Sequence, residues 1–91
     1  MQETREMRRR VIWKFQLTAD VIPMPMDAEV CTFEFQHGIP CIWAIVDPDI
    51  LSTPRKFKIV GTGHEIPGPD ECCYVGTTQD GDFVWHLFEL L

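Results

Sequence analysis

The segment with the most evident chemistry is Gly61-Thr62-Gly63-His64. Two glycines around a hydroxyl leave backbone N–H groups open, and such a nest can hold an anion. The His64 imidazole adds a donor, and Arg55, Lys56 or Lys58 on the incoming strand would supply positive charge. We therefore predict a ligand-binding pocket at a subunit boundary, formed by Arg55, Lys56, Gly61, Thr62, Gly63 and His64. The alternative is a glycine-dependent strand exit that leaves a histidine exposed.

Other residue types that bind metals or act as nucleophiles lack the spacing that such sites need. The four cysteines and three histidines include no Cys-x-x-Cys pair and no His-x-x-x-His pair. Cys31 and Cys41 are expected to be small buried apolar residues. The chain has no Gly-x-Ser-x-Gly elbow and no Gly-x-x-x-x-Gly-Lys-Ser/Thr loop. We predict no catalytic residue, no metal and no cofactor, which favours a binding protein over an enzyme.

Charge is distributed unevenly along the 91 residues, whose net charge is −6. Residues 1–14 hold five basic and two acidic side chains, a balance of +3, whereas residues 15–91 hold three basic and twelve acidic ones, a balance of −9. A body this acidic repels phosphate backbones, so general nucleic-acid binding is not expected. No apolar run reaches the 18 residues of a membrane-spanning helix, and the N-terminus lacks the pattern of a signal peptide.

Apolar residues recur at every second position through most of the chain, which predicts strands. Clear examples are residues 11–17, 29–36 and 55–60, whereas two prolines make residues 21–26 an extended edge or a connection. Turns are expected at His37-Gly38 and around Asp80-Gly81, and Ile50 and Leu51 are expected to pack back on the core. About six strands predict an all-β domain, a small antiparallel meander forming a sandwich or open barrel over residues 11–91. Residues 1–10 would form a charged extension.

The run from Cys41 to Val46 is apolar at every position. A strand buried on both faces is unusual in a small antiparallel sheet, so something must cover its second face. The N-terminal segment, another sheet or a second copy of the chain would each serve. We predict a homo-oligomer with an interface that includes Trp43, Trp85, His86 and Phe88, and the alternative is a closed sandwich with these aromatic residues in its core.

Four segments carry a resemblance to a known family: GIPCIWAIVDP (38–48), RKFKIVGTGHEI (55–66), YVGT (74–77) and FVWHLFE (83–89). Together they look like an uncharacterised family of small phage-encoded proteins, over roughly residues 11–90. The resemblance implies a viral protein that acts inside the host cell, and it assigns no activity and no site residue.

Small acidic phage proteins without enzymatic motifs commonly act against host defences. The resemblance and the charge together favour a non-enzymatic accessory protein of the host cytoplasm that inhibits an anti-phage defence. It would either sequester a nucleotide signal at Gly61–His64 or block a defence protein with its acidic faces. The alternative is a minor virion or assembly component.

Overall fold

The structure, a computed structural model, describes residues 8–68 and 71–91, and these residues form seven strands and no α-helix. The strands are β1 (Val11–Gln16), β2 (Val21–Pro25), β3 (Glu29–Gln36), β4 (Ile39–Val46), β5 (Ser52–Gly61), β6 (Cys72–Asp80) and β7 (Phe83–Leu90). The expected all-β class is confirmed, with one strand more than the six predicted. In the described part of the chain, no helix is long and apolar enough to span a membrane.

The strands form two antiparallel sheets, a three-stranded sheet in the order β1-β4-β3 and a four-stranded sheet in the order β2-β5-β7-β6. Only β3–β4 and β6–β7 pair as consecutive strands, so the strand order is not a simple meander. The chain changes sheet three times, after β1, β2 and β4. This exchange gives a sandwich-like arrangement in which each sheet covers the inner face of the other.

The core lies between the two sheets and is built from the inward residues of both. Ile42 of the three-stranded sheet and Leu87 of the four-stranded sheet are both 0% exposed. An added Cβ at Gly76 would lie 3.6 Å from the Cβ of Phe33, which shows how closely β6 approaches β3. The other buried members of this cluster are Leu17, Ile22, Met24, Ala28, Ala44, Val46 and Phe57.

The continuous apolar run of β4 has two different environments. Ile42, Ala44 and Val46 face the second sheet and are buried against it. The second sheet is one of the covers that the sequence analysis considered for this run. Trp43 and Ile45 point outward between β1 and β3 and remain half-buried. The second sheet therefore accounts for one face of β4, and the predicted homo-oligomer is not needed to cover that face.

Two hairpin turns form where the sequence predicts them. His37 and Gly38 join β3 to β4, and both have positive φ, at 54° and 79°. Positive φ at both central residues is the geometry of a type I′ turn. Gly81, with φ 61°, is the first central residue of the turn between β6 and β7.

Three local expectations are corrected or refined by the structure. Cys31, predicted to be buried, is exposed because it lies at a bulge in β3, between the paired residues Val30 and Thr32. Leu51, predicted to pack on the core, is 84% exposed. Residues 21–25 form an edge strand, the position that proline tolerates.

The first described residues connect to the sandwich through ion pairs. Arg9 Nη1 lies 3.2 Å from Asp49 Oδ1, and Arg10 Nη2 lies 3.2 Å from Glu29 Oε1. Arg8 Nε lies 3.7 Å from Asp47, the one buried acidic residue in the described part of the chain. Part of the basic N-terminal segment, predicted as a separate charged extension, therefore neutralises acidic residues of the domain.

We expect Leu87→Ala to lower the free energy of unfolding by about 2–5 kcal/mol, because it removes buried methyl groups and leaves a cavity between the sheets. Leu51→Ala is the matched control, and its effect should stay within about 0.5 kcal/mol because Leu51 is exposed. Urea denaturation of the two variants measures both values. Equal effects of the two substitutions would contradict the assigned core.

Candidate functional site

Alternation along β5 sends its three basic side chains to opposite faces of the sheet. Arg55 pairs with Ile22 of β2 and faces inward, whereas Lys56 pairs with Leu90 and Lys58 with Phe88 on the outer face. Arg55 donates to both carboxylate oxygens of Glu89, from Nε at 2.7 Å and from Nη2 at 2.8 Å. The geometry gives Arg55 a structural partner on β7.

Arg55 also joins the strand pair to the connection between β2 and β3. Its Nη1 donates to the carbonyl oxygen of Ala28 at 2.6 Å. The hydrogen bond that Arg55 donates to Glu89 raises the pKa of Arg55 above its ordinary value, and this effect outweighs the partial burial, which lowers that pKa. Because the pKa is raised, the contribution of Arg55 to stability is present at neutral pH and falls as the pH rises through the pKa of the folded state.

The outer face of the four-stranded sheet carries a cross-strand row of three different side chains. Lys58 of β5 pairs with Phe88 of β7, which in turn pairs with Tyr74 of β6. Neighbouring strands lie about 4.8 Å apart, so the row spans about 10 Å of backbone. The rings of Tyr74 and Phe88 meet edge to face, with their centroids 5.7 Å apart. We call the outer surface of β5, β6 and β7 around this row the basic-aromatic face.

The next row carries a chain of hydrogen bonds that begins at the loop after β5 and ends at Tyr74. The Oγ1 atom of Thr62 lies 2.8 Å from His86 Nε2, and the Oγ1 atom of Thr77 lies 2.9 Å from His86 Nδ1. Thr77 Oγ1 also lies 2.5 Å from the Tyr74 hydroxyl. Both ring nitrogens of His86 therefore have a hydroxyl partner on the surface of the sheet.

The loop Gly61–His64 begins at the last residue of β5, at one end of this face. Gly63 has a φ of 90°, which favours glycine, and the His64 backbone N–H donates to the carbonyl oxygen of Gly61 at 3.0 Å. An added Cβ at Gly61 would lie 3.1 Å from His64 Nδ1, so the histidine ring packs directly over this glycine. The loop thus needs glycine at two positions to hold the imidazole in place.

Two open cavities meet at His64. One of about 260 Å³ lies over the basic-aromatic face and has Val60, His86 and Phe88 in its floor and Ile66 at its rim. The other, of about 440 Å³, lies beside the start of β7; its lining residues are Gly61, Thr62, His64, Asp82, Phe83, Val84 and Trp85. The first is lined by His64, His86 and Phe88 and lies next to Lys58, so it suits an anionic ligand with a flat apolar part.

Electrostatics distinguish this face from the rest of the acidic protein. Among the described residues of β2, β5, β6 and β7, the register places no aspartate or glutamate on the outer surface, because Glu89 and Asp80 pair at inward positions. Lys56 and Lys58 are both exposed there. The outer surface of these four strands therefore carries two lysines and no carboxylate, on a chain of net charge −6.

The structure brings together part of the predicted ligand-binding set. Gly61, Thr62, Gly63 and His64 form one loop, while Lys56 lies one row beyond Lys58 on the same face. Arg55 lies on the opposite side of the sheet. Six residues of extended strand, about 20 Å, separate it from Gly61. Ligand binding by this set remains a prediction.

The four predicted interface residues lie on three different surfaces. Trp43 is on the outer side of the three-stranded sheet, and His86 and Phe88 are on the basic-aromatic face. Trp85 faces inward between Phe35 and Phe83, and its Nε1 is buried without a hydrogen-bond partner. No single flat interface can contain all four residues.

The sequence interpretation gave no site role to Tyr74 and Thr77, and it named Lys58 only as an alternative source of charge. Strand alternation identifies the outward direction of Lys58, but the partners of Tyr74 and Thr77 depend on the shift of register between Tyr74 and Gly76.

No cluster of three or more His, Cys, Asp or Glu side chains suited to a metal ion occurs within residues 8–68 and 71–91.

Comparison with known proteins assigns the chain to one family. Residues 8–91 match the family described as a domain of unknown function, DUF7352, and the chain belongs to that family. No curated protein and no solved structure matches the chain.

We expect Arg55→Ala to lower the free energy of unfolding by about 2 kcal/mol, since it removes hydrogen bonds to a half-buried carboxylate and leaves Glu89 without its partner. Lys56→Ala, the neighbouring exposed cation, is the control and should stay within about 0.5 kcal/mol. In the double variant with Glu89→Gln the two losses should be less than additive. Additive losses would show that the two side chains do not act as a pair.

Proposed function

We propose that this protein is a non-enzymatic binding protein that sequesters a nucleotide on its basic-aromatic face. In this proposal it is a phage accessory protein of the host cytoplasm, and removal of the nucleotide silences a host defence signal. The resemblance of its four sequence segments to small phage-encoded proteins supports the viral setting. The arrangement of Lys58, Phe88 and Tyr74 supports the choice of ligand.

The observation that carries the proposal is the row of a cation beside two aromatic rings. A phosphate is attracted by the Lys58 ammonium, and a base has a π surface that stacks on aromatic side chains. The loop Gly61–His64 lies at one end of the face and lines the cavity there. A nucleotide has both a phosphate that the lysine attracts and a base that stacks on the aromatic rings.

The size and charge of the face favour a single nucleotide over a nucleic-acid strand. Two lysines lie on the outer surface of β5, whereas the whole chain has 14 acidic residues. A long polyanion would extend past the face and meet the negative remainder of the protein. A mononucleotide or a cyclic nucleotide fits within the two neighbouring rows.

His86 has a structural role in this proposal. Its two ring nitrogens contact the hydroxyls of Thr62 and Thr77 within the protein. These contacts hold the surface beside the aromatic rings.

The proposal is tested by titrating the protein with cyclic and linear mononucleotides in a calorimeter. We expect saturable binding to the wild-type chain and an affinity about tenfold lower for Lys58→Ala, which corresponds to about 1.4 kcal/mol. Lys14→Ala is the matched control, because Lys14 is an exposed lysine on the other sheet whose Nζ donates to Gln36. Its affinity should equal that of the wild type.

Chromatography of the ligand after long incubation separates sequestration from turnover. Recovery of the unaltered nucleotide supports the proposal, and conversion to a product would make the protein an enzyme. If none of the nucleotides binds, or if Lys14→Ala weakens binding as much as Lys58→Ala, the assigned site is wrong.

A second candidate function is docking to another protein chain, and the outer side of the three-stranded sheet favours it. Ile12 is 63% exposed there beside the half-buried Ile45 and Trp43, and Glu34 lies one strand away on β3. Such a surface would serve a homo-oligomer, a blocker of a basic defence protein or a virion component.

For this second candidate we expect sedimentation velocity to show a dimer for the wild type and a monomer for Trp43→Ser. Tyr74→Ser is the control, since it removes an exposed aromatic ring from the opposite sheet and should leave the mass unchanged. A wild-type monomer at high concentration would exclude self-association through this face.

A further inference from the structure

The two aromatic rings of the basic-aromatic face cannot both stack on one flat base. The planes of Tyr74 and Phe88 lie 65° apart, so a base that is parallel to one ring is steeply inclined to the other. A stacking ring must present a face that solvent can reach. Tyr74 is 60% exposed, whereas Phe88 is half-buried in the floor of the cavity beside the loop Gly61–His64. The geometry therefore favours Tyr74 as the stacking surface.

The positive charge and the exposed ring of this face lie on different strands. Its two lysines, Lys56 and Lys58, both belong to β5. The register places four residues of β6 on the outer surface, none of them basic or acidic: Cys72, Tyr74, Thr77 and Gln79. A phosphate is therefore attracted to β5, and Tyr74 lies two strands away, beyond Phe88 of β7.

The ring of Tyr74 is held along its own strand. Its hydroxyl lies 2.5 Å from Thr77 Oγ1, three residues further along β6. The shift of register between Tyr74 and Gly76 brings Thr77 onto the same outer surface. Because the side chain is held at the hydroxyl as well as at the backbone, it loses less conformational freedom when a flat ligand stacks on it.

We propose that Tyr74 is the base-stacking residue of the site and that a nucleotide binds in one orientation. Its phosphate lies over β5 at Lys58, its sugar over Phe88 and its base over β6. The inference rests on the proposed function and adds a residue, an orientation and a preference to it. An aromatic ring stacks on the π surface of any base, so affinity follows stacking strength rather than a pattern of hydrogen bonds. Purine nucleotides, which have the larger ring system, therefore bind more tightly than pyrimidine nucleotides.

The test is calorimetry on the full chain with ligands that carry one or both parts of a nucleotide. AMP carries a base and a phosphate, ribose 5-phosphate lacks the base, and adenosine lacks the phosphate. Tyr74→Leu should lower the affinity for AMP about tenfold, because one base–aromatic stack is lost, and should leave that for ribose 5-phosphate unchanged. Lys58→Ala should weaken both phosphate ligands and leave adenosine unchanged. The preference for AMP over CMP should disappear in Tyr74→Leu.

Two further variants control for the loss of the ring itself. Tyr74→Phe keeps the aromatic ring and should retain most of the affinity for AMP. Trp13→Leu removes another exposed aromatic ring, from β1 of the other sheet, and should bind AMP as the wild type does.

A spectroscopic measurement locates the base independently of affinity. Tyr74 is the only tyrosine of the chain, so its ring gives a single set of NMR signals. The ring current of a stacked base moves the proton signals of the ring beneath it upfield. AMP should therefore shift the Tyr74 ring signals upfield, and ribose 5-phosphate should not.

The outcomes separate this inference from the proposed function. If the wild type binds AMP but Tyr74→Leu binds it equally well, weakens ribose 5-phosphate as much, or the Tyr74 signals do not move, the base does not stack on Tyr74 and the inference is overturned while nucleotide binding stands. If Lys58→Ala weakens adenosine as much as AMP, the orientation is wrong. Absence of AMP binding to the wild type overturns the proposed function and this inference together.

Discussion

The structure depends on one constraint: two small sheets must share a single apolar layer, because neither can bury its inner face alone. Ile42 and Leu87 are fully buried in that layer. Every strand therefore has an inward set of positions that is reserved for the core, and polar chemistry is confined to outward positions and to the margins. Arg55 occupies an inward position at the edge of this layer. Its guanidinium donates hydrogen bonds to Glu89 and to the carbonyl oxygen of Ala28.

The same alternation creates the candidate site. Once Phe57 and Ile59 are directed toward the core, Lys56 and Lys58 must point to the outer face. The pairing of β5 with β7 and of β7 with β6 then sets a lysine, a phenylalanine and a tyrosine side by side. The loop after β5 turns at one end of this surface, where Gly63 has a positive φ that favours glycine. The chemistry of the face is thus a consequence of strand register.

The net charge of the chain does not show where its basic and acidic side chains lie. The arginines at the N-terminus pair with Asp47, Asp49 and Glu29, so much of the basic segment is used to neutralise acids within the domain. The family match, over residues 8–91, includes these arginines. Among the described residues, no aspartate or glutamate forms an ion pair with the lysines of β5. A protein of net charge −6 can in this way retain a surface that attracts anions.

The sequence alone determined the all-β class, the two hairpin turns and the loop Gly61–His64, because these depend on period-two alternation and on the backbone freedom of glycine, which are local properties. It could not determine that Arg55 is structural, since its partner Glu89 is distant in the chain. Nor could it place Tyr74 and Thr77 beside His86, because a bulge after Tyr74 changes the face on which each later residue of β6 lies. Which side chains meet across strands is decided by register, and register is fixed only when both sheets close over their common core.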